Sequence, residues 1–152
     1  MKRRSTYAPA GDLGTKRMGE LAELGFMHRA ATRGFGVARP YGDSHPYDIL
    51  VQHGRRLLRI QVKSCFSSKG GYRRKQYQIK IVHRGNKRSI PYSSEHIDFI
   101  AVFIAPYDVW YVIPVEALEK RMCIRLYPGG IRSKRICARF EQFREAWRLM
   151  EG

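Results

Sequence analysis

Acidic residues are scarce in this chain. Among 152 residues there are 13 Asp and Glu against 29 Lys and Arg, which gives a formal net charge of +16. This charge is far beyond what solubility requires and is typical of chains that neutralise phosphates. The composition therefore favours nucleic acid as the partner.

The sequence also lacks a long hydrophobic run. No apolar stretch approaches the roughly 18 residues that a membrane-spanning helix needs. The start, Met1–Ser5, is basic and is followed by small and polar residues rather than by a signal peptide. We therefore expect a cytoplasmic protein with no membrane partner.

Cysteine is sparse and widely spaced. Cys65, Cys123 and Cys137 are odd in number and form no Cys-x-x-Cys pair. This pattern indicates neither a disulfide framework nor a zinc site, so we expect three reduced thiols.

The remaining sequence predicts one domain. Residues 1–11 form a flexible basic tail punctuated by Pro9 and Gly11, and residues 12–152 hold enough of the 43% hydrophobic content for an ordinary core. A helix is predicted over Thr15–Arg33, because the segment lacks proline and Gly34 follows it as a stop.

Short apolar runs separated by turn residues predict the other elements. Strands are expected at Phe35–Arg39, Tyr47–Val51, Leu57–Lys63, Gln76–Val82, Ile97–Ile104, Trp110–Ile113 and Cys123–Leu126. A basic turn at His83–Arg88, a short helix after Pro114 and an amphipathic helix over Phe140–Met150 complete the chain. This order indicates an α/β or α+β fold with a mixed sheet, in which the strand Ile97–Ile104 is buried on both faces.

The hairpin formed by Tyr47–Val51 and Leu57–Lys63 groups polar side chains. Residues two apart in a strand share a face, so Gln61 and Lys63 point together with Arg59. A turn over His53–Arg56 would place Asp48 opposite Gln61. A carboxylate, an amide oxygen and an ammonium group would then meet at one point.

This set of groups suits metal-dependent phosphodiester hydrolysis. A divalent cation activates water and neutralises charge on the phosphate, and Mg²⁺ prefers oxygen ligands. Asp48 supplies an anionic oxygen and Gln61 a neutral one, while Lys63 could orient the attacking water or stabilise the phosphate. Because Gln61 is neutral, a further carboxylate is expected.

The first helix offers two candidates for that carboxylate, Glu20 and Glu23. Apolar residues flank both, so the helical wheel does not choose between them. Gly19 lies on the same face as Glu23 and would let the helix approach another backbone closely, which mildly favours Glu23 and leaves Glu20 in reserve.

These motifs together resemble a known family. Gly19-x-x-x-Glu23, Phe35-x-Val-x-Arg-Pro40, Pro46-Tyr47-Asp48 and Gln61-Val62-Lys63 are similar to the motifs of the PD-(D/E)-x-K nuclease superfamily, in the branch of small bacterial intron-encoded homing endonucleases where Gln replaces an acidic residue. The chain departs from the usual pattern at Tyr47, which separates Pro46 from Asp48.

The resemblance implies a restriction-endonuclease-like core of αβββαβ type with helices flanking the sheet. It implies that Asp48, Gln61 and Glu23 hold Mg²⁺, for which Mn²⁺ could substitute, and that Lys63 is catalytic. It further implies a nuclease of the bacterial cytoplasm or nucleoid that acts on double-stranded DNA as a homodimer or homotetramer.

Basic clusters in loops are expected to contact DNA phosphates. We assign two clusters to DNA binding, and a third basic cluster follows Pro128; their residues are Arg73, Arg74 and Lys75, then Arg84, Lys87 and Arg88, and lastly Arg132, Lys134 and Arg135.

The sequence thus predicts a Mg²⁺-dependent DNA endonuclease similar to homing enzymes. A Holliday-junction or repair nuclease would share the same core. A nucleic-acid-binding protein without catalysis is a rival that the neutral Gln61 favours, and an RNA nuclease or RNA-binding module is a third alternative. For Asp98 a structural role is expected, as a partner of Arg or Lys.

Overall fold

The computed structural model describes residues 13–66, 76–85, 87–131 and 138–152. The described part contains one α-helix, α1 (Thr15–Thr32), and nine strands. The strands are β1 (Gly36–Ala38), β2 (Ile49–His53), β3 (Arg56–Cys65), β4 (Tyr77–Lys80), β5 (Val82–Arg84), β6 (Ser89–Pro91), β7 (Phe99–Ile104), β8 (Val109–Pro114) and β9 (Cys123–Leu126). Short 3₁₀ helices cover Ala105–Tyr107, Val115–Leu118, Glu141–Phe143 and Trp147–Met150.

Helix α1 ends at the predicted glycine stop. Gly34 has a φ of +89°, a left-handed conformation that glycine adopts without steric cost. Its N–H donates to the Ala31 carbonyl at 3.0 Å, and the Phe35 N–H donates to the Ala30 carbonyl at 3.2 Å. This Schellman pattern satisfies the last helical carbonyls and turns the chain into β1.

Five strands form a mixed central sheet in the order β1-β2-β3-β7-β8. The β3–β7 pair is parallel, whereas β1–β2, β2–β3 and β7–β8 are antiparallel. Every residue of β7 is buried, which confirms the prediction of a strand covered on both faces, although the strand begins at Phe99 rather than Ile97. The mixed α+β architecture is therefore the predicted one.

Each face of the sheet carries its own hydrophobic core. On one face Phe26 of α1 stacks on Trp147 at 5.4 Å between ring centroids and contacts Trp110 edge-on at 5.6 Å. On the other face β4 and β9 pair with each other, and Ile79 and Ile124 pack in the same cluster as residues of β7 and β8. The sheet is thus the middle layer of three.

The predicted helix over Phe140–Met150 is wrong. Two 3₁₀ helices flank Glu145, whose φ is +50°. The Glu145 N–H donates to the Trp110 carbonyl at 2.8 Å, and the Trp110 N–H donates to Glu145 Oε1 at 2.9 Å. These bonds to the edge of β8 replace the bonds of a continuous helix. The second α-helix implied by the αβββαβ pattern is accordingly not among the described residues.

The predicted basic turn at His83–Arg88 is also too long. Val82 to Arg84 form β5, which pairs with β6 through His83 and Ile90. The strand expected over Gln76–Val82 is divided, since β4 ends at Lys80 and pairs with β9 instead. A partner distant in sequence decides the end of β4, whereas β5 pairs with the next strand along the chain.

The expected basic tail, residues 1–11, lies outside the described residues. In the part of the chain that the structure does describe, α1 is not apolar enough to cross a lipid bilayer, and no other helix is long enough.

Candidate active site

The β2–β3 hairpin has the predicted register. Ile49 pairs with Ile60, so Asp48, which directly precedes β2, lies level with Gln61. Ile60 and Val62 are buried in the core beneath α1. Side chains alternate along a strand, so Gln61 and Lys63 emerge on the other face of the sheet.

Asp48 and Gln61 are directly hydrogen-bonded. Gln61 Nε2 donates to Asp48 Oδ2, and the Val62 N–H donates to the same oxygen at 2.9 Å. Because both bonds end on Oδ2, the other carboxylate oxygen is the one that can meet an ion. Two donors also fix the carboxylate in a single orientation.

The Gln61 amide is oriented by a second acceptor. Its Nε2 also donates to the Val62 carbonyl at 3.2 Å, and the residue is only 8% exposed. Only the NH₂ end of an amide can meet two acceptors, so the amide oxygen must be the opposite end. That oxygen is therefore available as a neutral ligand.

Lys63 lies two residues further along β3, half-buried at a position level with Val102 of β7. Burial raises the pKa of Asp48 above its ordinary value, while the Val62 N–H and the positive charge of Lys63 oppose that rise. The ammonium group is thus close enough to act electrostatically on the carboxylate. Its place beside the hairpin face is the predicted one.

Helix α1 brings a second carboxylate to this place. The Glu23 side chain is 19% exposed, and its Oε2 accepts a hydrogen bond from Arg39 Nη2 at 2.8 Å. Burial raises the pKa of Glu23, the charge of Asp48 raises it further, and Arg39 lowers it. The carboxylates of Glu23 and Asp48 therefore lie within electrostatic reach of each other.

Glu20 occupies a different environment. It lies almost one turn earlier on α1, its side chain is 39% exposed, and it pairs with Arg17 at 3.2 Å. Its charge is the smallest of the four influences on the pKa of Glu23. The structure thus places Glu23, rather than Glu20, beside Asp48.

The donor set fits a hard divalent cation. Asp48 is hydrogen-bonded to the Gln61 amide and lies within electrostatic reach of Glu23, and Mg²⁺ accepts carboxylate and amide oxygens together with water. Among the described residues, no group of three His, Cys, Asp or Glu side chains could hold a metal. The Gln61 amide, which is hydrogen-bonded to Asp48, is the candidate for a neutral third ligand.

Two neighbours of the site were not predicted from the sequence as functional. Arg39 contacts Glu23, yet the sequence showed it only as part of the Arg-Pro motif. Tyr92 is 3% exposed, and burial and the nearby charge of Asp48 both raise its pKa. The signal for Arg39 in the sequence was weak, since it is an arginine at the end of a predicted strand beside the hairpin. Only long-range packing reveals Tyr92.

The basic clusters are only partly described. Arg84, Lys87 and Arg88 are exposed on the β5–β6 hairpin, where phosphates could reach them. Arg73, Arg74 and Lys75 lie outside the described residues, as do Arg132, Lys134 and Arg135.

Comparison with known proteins connects this geometry to a family. The family model of the PD-(D/E)XK endonucleases matches residues 13–146. The chain belongs to the PD-(D/E)XK endonuclease family. The resemblance drawn from the sequence motifs is thereby confirmed, and the members of this family are nucleases that generally depend on divalent metal ions.

Solved structures add a close relative within the PD-(D/E)XK family. A bacterial homing endonuclease, I-Ssp6803I, is 31% identical, with a TM-score of 0.75 over 91% of this chain and 94% of the other. Archaeoglobus fulgidus Hjc, a Holliday junction resolvase from an archaeal hyperthermophile, is 20% identical, with a TM-score of 0.47 over 74% and 89%. No curated protein sequence is similar enough to match the chain.

Proposed function

We propose that this PD-(D/E)XK protein is a Mg²⁺-dependent DNA endonuclease similar to homing enzymes. The observation that carries the proposal is the hydrogen bond between Gln61 and Asp48 on the hairpin, with Lys63 and Glu23 within electrostatic reach of Asp48. Family membership gives the class of reaction, and this face gives the residues that would perform it.

Asp48, Glu23 and the amide oxygen of Gln61 would hold the ion. When bound, a divalent cation supplies charge neutralisation and a more acidic water for phosphodiester hydrolysis. The donor bonds from Gln61 and Val62 preorganise Asp48, so little rearrangement is needed when the site is loaded.

Lys63 would act on the substrate rather than on the ion. Its ammonium is a compact charge with three donors, suited to a phosphate oxygen or to the attacking water. Its charge acts on Asp48, which supports a position for Lys63 at the edge of the ion site. We therefore assign Lys63 the role of stabilising negative charge that develops on the phosphate.

Duplex DNA is the proposed substrate. A charge of +16 and the exposed hairpin carrying Arg84, Lys87 and Arg88 would bind phosphates without regard to sequence. The similarity to a bacterial homing endonuclease supports cleavage at a specific site. A homodimer or homotetramer is proposed because one site per subunit cuts both strands most simply in a symmetric assembly.

Plasmid cleavage tests the proposal. The wild-type protein with Mg²⁺ or Mn²⁺ is expected to nick or linearise plasmid, and Lys63→Ala or Asp48→Ala is expected to lower the rate at least a hundredfold. Lys80→Ala is the matched control, since Lys80 is exposed on β4 outside the central sheet.

Equal rates in all four proteins would refute the assignment. Tight, salt-sensitive DNA binding with no cleavage under any divalent ion would favour the binding protein without catalysis. Faster cleavage of a four-way junction than of linear duplex would favour a junction nuclease, and faster cleavage of structured RNA would favour an RNA nuclease.

A further inference from the structure

Arg39 stands in an unusual relation to the proposed ion site. It directly follows β1 and precedes Pro40, and the β1–β2 register pairs Ala38 with Leu50. Continuing that antiparallel register places Arg39 level with Ile49, the residue next to Asp48. The backbone therefore holds this arginine at the rim of the site.

The guanidinium of Arg39 contacts one of the two carboxylates and acts electrostatically on the other. Arg39 Nη2 lies 2.8 Å from Glu23 Oε2. Its positive charge also acts on Asp48, which has no hydrogen bond to Arg39 among those described. A single cation thus bonds one of the two anionic groups that are proposed to hold the divalent ion and acts electrostatically on the other.

Arg39 is held by fewer contacts than an arginine with a structural role. Within the described part of the chain, Glu23 is the only partner of the Arg39 guanidinium, and the arginine side chain is 55% exposed. Arg59 provides the contrast, since its guanidinium bonds Asp98 and two backbone carbonyls. An exposed single ion pair contributes little to stability and is readily exchanged.

We propose that Arg39 takes the place of the divalent cation in the ion-free protein and leaves Glu23 when the ion binds. This inference rests on the proposed function of the site. A divalent ion and a guanidinium repel each other at such short range, so the two compete for the same carboxylate. Until the ion binds, the positive charge of Arg39 offsets the repulsion between the two carboxylates.

A competing Arg39 and a supporting Arg39 predict opposite changes in ion affinity when the arginine is removed. If Arg39 only ordered the site, its removal would weaken ion binding. If it competes, Arg39→Gln must bind the ion more tightly, by roughly three- to tenfold, because the ion no longer displaces a paired charge. Arg39→Lys keeps the charge but loses the planar guanidinium, so its ion affinity should lie between those of wild type and Arg39→Gln.

Mn²⁺ binding measured by electron paramagnetic resonance of the free ion tests this without any turnover. Wild type, Arg39→Gln, Arg39→Lys and Asp48→Asn are titrated in the absence of DNA. Arg17→Gln is the matched control, because Arg17 pairs with Glu20 on the same helix and its loss removes the same charge.

Tighter binding by Arg39→Gln with Arg17→Gln unchanged within about twofold supports the proposal. Equal or weaker binding by Arg39→Gln overturns it while leaving the ion site intact, and equal tightening by both variants overturns it in favour of a general charge effect. If the wild-type protein binds no Mn²⁺, or if Asp48→Asn binds it as tightly as wild type, both the proposed ion site and this inference are overturned.

Discussion

Arg59 binds the Asp98 carboxylate with both its backbone and its side chain. The Arg59 N–H donates to Asp98 Oδ2 at 2.7 Å, and the guanidinium reaches Oδ2 at 3.1 Å and Oδ1 at 3.0 Å. Asp98 directly precedes β7, so this contact fixes the start of the parallel β3–β7 pair. The structural role expected for Asp98 agrees with these contacts.

Asp98→Asn should lower the free energy of unfolding by about 1–3 kcal/mol. The variant removes a charge from a half-buried bonded pair and leaves Arg59 without its carboxylate. Chemical denaturation measures the loss. Glu119→Gln is the control, because Glu119 pairs with Arg139 on the exposed surface and should change the value by less than about 0.5 kcal/mol.

The contribution of the Arg59–Asp98 pair to the free energy of unfolding should be lost in acid. Burial alone would raise the pKa of Asp98, but the bonds and charge of Arg59 hold it below the ordinary 3.8. A carboxyl with a lowered folded-state pKa stabilises the protein above its unfolded pKa and loses that contribution as pH falls through the folded one. The difference between wild type and Asp98→Asn should therefore shrink below about pH 4. A difference that persists unchanged at pH 2.5 would contradict this.

Glu23→Gln should lower the cleavage rate at least tenfold, whereas Glu20→Gln should leave it within about twofold. The reason is position, since Glu23 lies within the electrostatic reach of Asp48 and Glu20 pairs with Arg17. Single-turnover cleavage in Mg²⁺ measures both. The reverse order would transfer the role of ligand to Glu20.

Gln61→Glu should bind Mn²⁺ more tightly but fold less stably without it. The substitution replaces the NH₂ group that donates to Asp48 by a carboxylate oxygen, so two anions face each other until an ion arrives. Thermal unfolding with and without Mn²⁺ should show a lower ion-free Tm and a larger ion-induced rise than in wild type. Gln78→Glu, on the exposed face of β4, should show neither change.

Asp48→Asn should raise the Tm of the ion-free protein by about 1–3 °C. Burial raises the pKa of Asp48, so the ionised form is costly in the folded state, and Asn keeps an acceptor for Gln61 and Val62 without the charge. Differential scanning calorimetry at pH 8 measures the shift. Asp43→Asn, in an exposed loop, serves as control, and a lower Tm for Asp48→Asn would show that the charge stabilises the fold.

The sequence predicted those parts of the molecule that local patterns determine. Glycine chemistry at Gly34 located the end of α1, and strand alternation placed Asp48 level with Gln61. Both depend on neighbours along the chain or across one short turn.

The remainder depends on partners distant in sequence. Glu145 bonds Trp110 and ends the helical pattern of the last segment, and the pairing of β4 with β9 ends at Lys80 a strand that was expected to run to Val82. The choice of Glu23 over Glu20 and the contact with Arg39 likewise depend on how α1 packs against the sheet. No periodicity in a single chain encodes such distances.

The two hydrogen bonds between Glu145 and Trp110 bear on how the protein avoids aggregation through the edge of its sheet. A sheet ending in unbonded amides is a template for another sheet, and such edges promote aggregation. Here the outer N–H and carbonyl of Trp110 are already occupied by the terminal segment, and Arg144 forms a bridge with Tyr111. The segment around Glu145 therefore blocks the addition of another strand at this edge of the sheet.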